Sequence, residues 1–185
     1  TMSIHKFGIP SLLPDNIKLL SGPGCPVCVT SRYFIDDAVE CSKTENTIIT
    51  TLGDLVRVPG SETSLYKEKS RGRDIRIVYS ILDAIKIARD NKNKNIVFPG
   101  IGFETTAPLS AAALVQAKES GLDNFYILSA HKIMPPVMKA LIDEGVKING
   151  YICPGHVSVI TGTSIYESIV RDYKLGCVVS GFEPL

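Results

Sequence analysis

Cys25 and Cys28 stand two residues apart in the segment Ser21-Gly-Pro-Gly-Cys-Pro-Val-Cys-Val-Thr30. Two thiols at that spacing can close a disulfide, hold a soft metal as a pair, or exchange with another disulfide. The apolar run Ile17–Leu20 ahead of them reads as a buried strand. Gly22, Pro23 and Gly24 then turn the chain, and Thr30 or Ser31 can cap a helix running to about Glu40. The thiols are therefore expected on a strand-to-helix loop near the positive end of a helix dipole, where a thiolate is favoured. A self-contained zinc knuckle needs four ligands, and no second Cys pair of matching spacing is present. Cys153 and His156 form a C-x-x-H compatible with a metal. Cys41, on the apolar face of its helix with Phe34 and Ala38, and Cys177, opening a strand, read as core residues.

Further polar motifs fall at the ends of apolar runs. Phe98-Pro-Gly-Ile-Gly-Phe-Glu-Thr-Thr-Ala-Pro108 follows a strand pattern and precedes an Ala-rich helix. Gly100 and Gly102 there permit a tight turn with close backbone approach. Glu104, Thr105 and Thr106 add polar groups at a helix N-terminus, where an anion or a partner's backbone could be cradled. The segment is neither a P-loop nor a G-x-G-x-x-G fingerprint, and a Gly-rich connector with Thr caps explains it equally well. His131, in Ser129-Ala-His-Lys132, and His156, in Pro154-Gly-His-Val-Ser158, occupy similar places, as does Glu183 in Gly181-Phe-Glu-Pro184. A histidine at a strand end can be a base, a ligand or a simple hydrogen-bonder. Together with the dithiol these loops suggest a shared crevice.

The elements that must position these groups alternate along the chain. Strands are expected at Ile17–Leu20, Thr47–Thr51, Ile75–Tyr79, Asn95–Phe98, Phe125–Leu128, Gly150–Cys153 and Cys177–Val179, with amphipathic helices at Ile81–Asn91, Ala107–Ser120, Pro136–Glu144 and Ser164–Tyr173. Gly60–Asp74 is charged and lacks an apolar period, as in a surface loop or short helix. The alternation predicts an α/β protein with mostly parallel sheets flanked by helices, and ligands beyond the carboxyl ends of the strands. Leu20-Ser-Gly-Pro-Gly-Cys-Pro26 and Val179-Ser-Gly-Phe-Glu-Pro184 hint at an internal repeat. The expected organisation is therefore two similar three-layer α/β domains, 1–95 with the dithiol and 96–185 with the other loops, with room for elements to be exchanged between them.

Composition narrows the classes. The 185 residues are 44% hydrophobic and 21% charged with a net charge of +1, which suits a globular protein and argues against a nucleic-acid or membrane-surface role. No apolar run reaches the roughly 18–20 residues of a transmembrane helix. Five cysteines, an odd count, fit a reducing cytoplasm better than a disulfide framework. Both ends read as boundaries within a longer protein.

Gly22-Pro-Gly-Cys-Pro-Val-Cys28, Gly100-Ile-Gly-Phe-Glu-Thr-Thr-Ala-Pro108, Pro154-Gly-His-Val-Ser158 and Ser180-Gly-Phe-Glu-Pro184 occur in this order, and together they closely resemble the HypD family of NiFe-hydrogenase maturation factors. The resemblance spans essentially the whole chain and implies two similar α/β domains. It further implies a scaffold on which iron acquires cyanide and carbon monoxide, working with a HypC-type chaperone and a HypE-type cyanide donor. Carried over, Cys25 and Cys28 match the family dithiol implicated in iron handling and thiol redox, with Glu104, Thr105, Thr106, His131, His156 and Glu183 as candidates for the surrounding crevice. The family pattern also implies a third motif cysteine before Thr1, a histidine where Met2 stands, and an iron–sulfur cluster region after Leu185. A chain without these parts is expected to be incompetent alone for cofactor assembly. The implied role is a maturation scaffold with thiol redox rather than a conventional turnover enzyme. Two alternatives remain open: a thioredoxin-like oxidoreductase using Cys25-Pro-Val-Cys28, and a metal-free protein-interaction module.

Overall fold

The computed structural model describes residues 2–22 and 24–181. The helices are α1 (Met2–Lys6), α2 (Arg32–Lys43), α3 (Gly53–Val56), α4 (Leu65–Ser70), α5 (Ile81–Asp90), α6 (Ala107–Glu119), α7 (Met134–Asp143), α8 (Gly155–Thr161) and α9 (Glu167–Tyr173). The strands are β1 (Thr47–Leu52), β2 (Ile75–Val78), β3 (Asn95–Gly100), β4 (Phe125–Ser129), β5 (Gly150–Pro154) and β6 (Gly176–Ser180), and single 3-10 turns lie at Ile9–Leu12 and Ser164–Tyr166. The protein is thus α/β, with parallel strands in sheets flanked by helices, as its alternating pattern predicts.

Contacts divide the chain into a continuous unit, Pro26–Lys132, and a two-segment unit, Thr1–Cys25 with Ile133–Leu185. The expected boundary at 95/96 is not where the chain divides. Asn95 opens β3, which pairs with β1 on one side and β4 on the other, so a cut there would pass through a sheet.

The continuous unit carries a parallel sheet ordered β2-β1-β3-β4. Successive side chains of a strand point to opposite faces, and β1 buries both: Thr47–Thr51 are all buried. Ile48 packs with Ile96, Phe98 and Phe125 beneath α5 and α6. Ile49 packs with Ile75 beneath Ala38 and Val39 of α2 and Leu65 of α4. Each fully buried isoleucine contributes roughly 1.5–3 kcal/mol of transfer free energy, which makes β1 the axis of this three-layer unit. Helix starts follow local chemistry, since the Ser31, Ser64 and Ser80 hydroxyls accept from the amides of Tyr33, Lys67 and Leu82. The charged 60–74 segment contains α4 and is pinned by Ser61, whose amide and hydroxyl both donate to Asp36.

In the two-segment unit β5 and β6 pair in parallel, with Tyr151 opposite Cys177 and Cys153 opposite Val179. One sheet face joins Met138 of α7, Tyr166 of the second 3-10 turn and Ile169 of α9 in a small core. On the other face Ile152 and Val178, themselves a register pair, are 60% and 65% exposed. This sheet is therefore covered on one side only. Ile17–Leu20, expected as a strand, has no regular structure. Ile17 and Leu20 are exposed, so the run buries too little to hold itself extended against a sheet.

Candidate functional site

The dithiol segment forms a turn from Pro26 onward. The Thr30 amide donates to the Val27 carbonyl at 3.2 Å, and the Thr30 hydroxyl donates to the Pro26 carbonyl at 2.7 Å. This turn hands the chain to Ser31, which caps α2. Cys28 lies inside the turn and Cys25 directly precedes it, and both side chains are exposed. The expected helix follows, but the element before it is coil instead of a strand. Thr30 is occupied with the turn, which leaves the cap to Ser31.

A second set of groups surrounds the end of β3. The chain runs β1 to β2 through α3 and α4 on one face, then crosses to β3 and β4 through α5 and α6 on the other. Strand order therefore reverses between β1 and β3, and ligands of such sheets bind beyond the carboxyl ends of the strands at that reversal. The segment Gly100–Thr106 leaves β3 there. It is tied to the chain after β4 by the Ala130 amide donating to the Gly100 carbonyl at 2.8 Å and the Lys132 amide donating to the Gly102 carbonyl at 2.9 Å. Phe103 and Glu104 are buried, Thr106 is half-buried and Thr105 is exposed.

The two glycines serve internal packing. A Cβ on Gly100 would stand 2.8 Å from Cε1 of His131 and 3.1 Å from Cγ2 of Ile127, so the imidazole lies directly on the β3 backbone. At Gly102 the same space is filled by the Thr106 side chain. Thr106 occupies the position before α6 without making a side-chain cap, and Pro108 supplies the helix start instead.

His131 is held from both sides. Its Nδ1 is 2.9 Å from the hydroxyl of Ser129, at the end of β4, and its Nε2 is 3.2 Å from the hydroxyl of Ser110, in the first turns of α6. Burial holds its pKa below the usual imidazole range. The neutral ring has one donor and one acceptor nitrogen, so the two hydroxyls take opposite roles across it. With both nitrogens engaged, His131 serves as an anchor between β4 and α6 in this arrangement. Ser110 carries no sequence motif; its one signal is a polar residue alone on the buried face of an Ala-rich helix, where it is buried beside Ala113 and Ala117.

His156 is exposed in the first turn of α8, whereas Cys153 is buried in the core beneath α7. The C-x-x-H spacing therefore sends its two side chains to different environments and does not form a ready metal pair. Glu183 lies outside the described residues. Cys41 packs at the edge of the α2 core and Cys177 at the edge of the β5–β6 core, as expected of them. Among the described residues no group of three or more His, Cys, Asp or Glu is arranged to hold a metal ion. None of the described helices is long and apolar enough to cross a membrane.

The HypD family model, described as the hydrogenase formation hypA family, matches residues 1–185. A hydrogenase expression/formation protein of Methanocaldococcus jannaschii is 50% identical over 183 residues, covering 99% of this chain and 51% of that protein. The hydrogenase maturation factor HypD of Escherichia coli is 45% identical over 186 residues, covering 100% of this chain and 50% of that protein. HypD of Rhodobacter capsulatus is 44% identical over 185 residues, covering 100% of this chain and 49% of its own length. The chain spans about half the length of the curated relatives it matches.

Proposed function

This chain belongs to the HypD family of hydrogenase maturation factors, and we propose that its Cys25–Cys28 loop is the thiol station of an iron-assembly scaffold. Iron is cargo in this reading: it is held while cyanide and carbon monoxide are attached, then passed to the hydrogenase. The observation that carries the proposal is the exposure of both thiols on one short segment leading into α2. Exposed thiols can be reached by a metal and by a partner protein, and deprotonated they are soft, electron-donating ligands suited to low-valent iron.

The same pair can give up two electrons and two protons on closing a disulfide, with an electron acceptor such as an iron–sulfur cluster taking the electrons. A HypC-type chaperone would carry iron to or from the loop, and a HypE-type protein would supply cyanide, in the cytoplasm. Two thiolates do not complete an iron site, so further ligands come from the partner or from other parts of the scaffold. Glu104, Thr105, Thr106, His131, His156 and Glu183 are the candidates for its surroundings. The two serines that engage His131 favour an anchoring role for that residue over ligation.

Anaerobic iron titration of the chain and of a Cys25→Ser/Cys28→Ser variant tests the proposal. Loss of iron binding in the variant supports it, and unchanged binding overturns it. Binding of a HypC-type partner by both proteins with no iron bound by either would favour a metal-free interaction module.

A further inference from the structure

A second pair of thiols lies in the two-segment unit, where sequence spacing gave no sign of one. Cys153 and Cys177 are separated by a helix, a 3-10 turn and a second helix, yet β5 and β6 bring them together. Because Tyr151 faces Cys177 and Cys153 faces Val179, both cysteines project from the same sheet face, one diagonal step apart. The two thiols are near enough for each to bear on the other's ionisation, and the Cys177 thiol donates to the Leu175 carbonyl at 4.0 Å. Burial, reinforced by the neighbouring Cys177, pushes the Cys153 thiol up to about 12, and the pair also raises the Tyr151 hydroxyl above its ordinary value, after burial itself.

Sulfur is concentrated in this core. Met138, buried, and Met134, half-buried, belong to the same small core as the two cysteines. Cys153 is 1% exposed, but Cys177 lines an open cavity of about 660 Å³ whose wall carries Glu167 and Arg171 beside Tyr166, Val170 and Val179. One thiol is thus reachable from solvent and the other stands behind it.

We propose that Cys153 and Cys177 form a two-thiolate site for a soft monovalent ion, cuprous copper, entered through the cavity beside β6 and backed by the thioethers of Met134 and Met138. Cys153 and Cys177 are both free thiols on one sheet face, so they present a pair of sulfur ligands. Soft sulfur ligands select Cu(I) over harder divalent ions. Binding replaces both S–H protons: one Cu(I) enters, two protons leave to solvent, and no electron is transferred. The site goes beyond the iron reading and shares no residue with it.

The test uses the whole chain carrying Cys25→Ser and Cys28→Ser, so that the exposed dithiol cannot contribute. This protein is incubated anaerobically with Cu(I) held by a competing bicinchoninate chelator, desalted, and assayed for copper. About one retained ion per chain is expected, with a rise in thermal midpoint and protection of Cys177 from iodoacetamide. Adding Cys177→Ser, a change at the cavity wall that leaves the buried Cys153 in place, should abolish copper retention and the rise in thermal midpoint while leaving the circular dichroism spectrum unchanged. Copper retained undiminished after Cys177→Ser would place it elsewhere, Cys41 included, and overturn the proposal. Absence of any retained copper in the Cys25→Ser/Cys28→Ser parent would overturn it equally. Neither result bears on iron binding by Cys25 and Cys28, so the two readings fail separately.

Discussion

The contact between Gly100 and His131 sets a sharp test of how the loop after β3 is held. In Gly100→Ala the new methyl would stand 2.8 Å from Cε1 of His131 and 3.1 Å from Cγ2 of Ile127. Neither neighbour is the loose end of a flexible chain, because the imidazole is fixed by Ser129 at 2.9 Å and Ser110 at 3.2 Å. Overpacking of this kind costs about 1–3 kcal/mol. If the ring swings away, both hydrogen bonds go with it, at about 0.5–1.5 kcal/mol each. The expected loss is therefore roughly 1–3 kcal/mol by either route. In a His131→Ala background most of the clash is gone, and the same Gly100→Ala change should cost about 1–2 kcal/mol less, with Ile127 accounting for what remains. Urea denaturation of the four proteins of this cycle reads the coupling directly. Strictly additive losses would show that the imidazole does not rest on the β3 backbone, and the account of Gly100 would fall. The conservative His131→Gln variant, which keeps one donor and one acceptor, should recover part of the stability that His131→Ala loses.

Other parts of the fold carry their own tests. Asn124→Ala removes the amide that donates to the carbonyls of Ala88, Asn91 and Lys94 at 3.1, 3.0 and 2.9 Å, and should cost about 2–3 kcal/mol in urea denaturation. Asp74 is gripped by Arg76 through two bonds of 2.9 Å and by Lys94 at 3.2 Å. The Arg76 hydrogen bonds, assisted by Lys94 and opposed by burial, hold its carboxyl below the ordinary 3.8. Its stabilisation is thus complete above that ordinary value and is lost as pH falls through the lower folded value. The acid limb of a urea-midpoint titration should be shallower in Asp74→Asn than in the parent. Ile169→Ala hollows the small core beneath β5 and β6, where Ile169 is fully buried, and should cost that unit about 2–5 kcal/mol, read as faster proteolysis within residues 133–180.

Six strands and four of the longer helices were legible because each pairs a short β-branched or apolar run with a capped, periodic segment. Ile17–Leu20 shows the limit of that signal, since four apolar residues form a strand only where a partner edge and a covering layer exist, and its side chains have neither. A unit boundary is hard to read from sequence for a related reason: β3 looks like the start of something new, but its register places it in the middle of a sheet. At the candidate site the glycines of Gly100-Ile-Gly102 were visible and their purpose was not. Close approach was the right physical inference, yet the approaching groups are His131 and Thr106 of the same chain. Ser110 was hidden because a single serine in a run of alanines carries no spacing to read. The Cys153–Cys177 contact depends on strand register, which no local pattern encodes.

The interrupted path of the two-segment unit has a consequence for the protein as it is made. Translation delivers Cys25 and Cys28 almost together, but the continuous unit that begins at Pro26 is complete once Lys132 has emerged, whereas the core around Ile169 must wait for β6. At about 5–20 residues per second that interval lasts several seconds. During it both thiols and the whole of the continuous unit have been made, while the rest of the unit to which Cys25 belongs does not yet exist. The thiols are therefore offered to whatever metal or disulfide the surroundings contain before the scaffold is whole, and a chaperone that engages this loop early would protect it in the window when it is most exposed to the wrong chemistry.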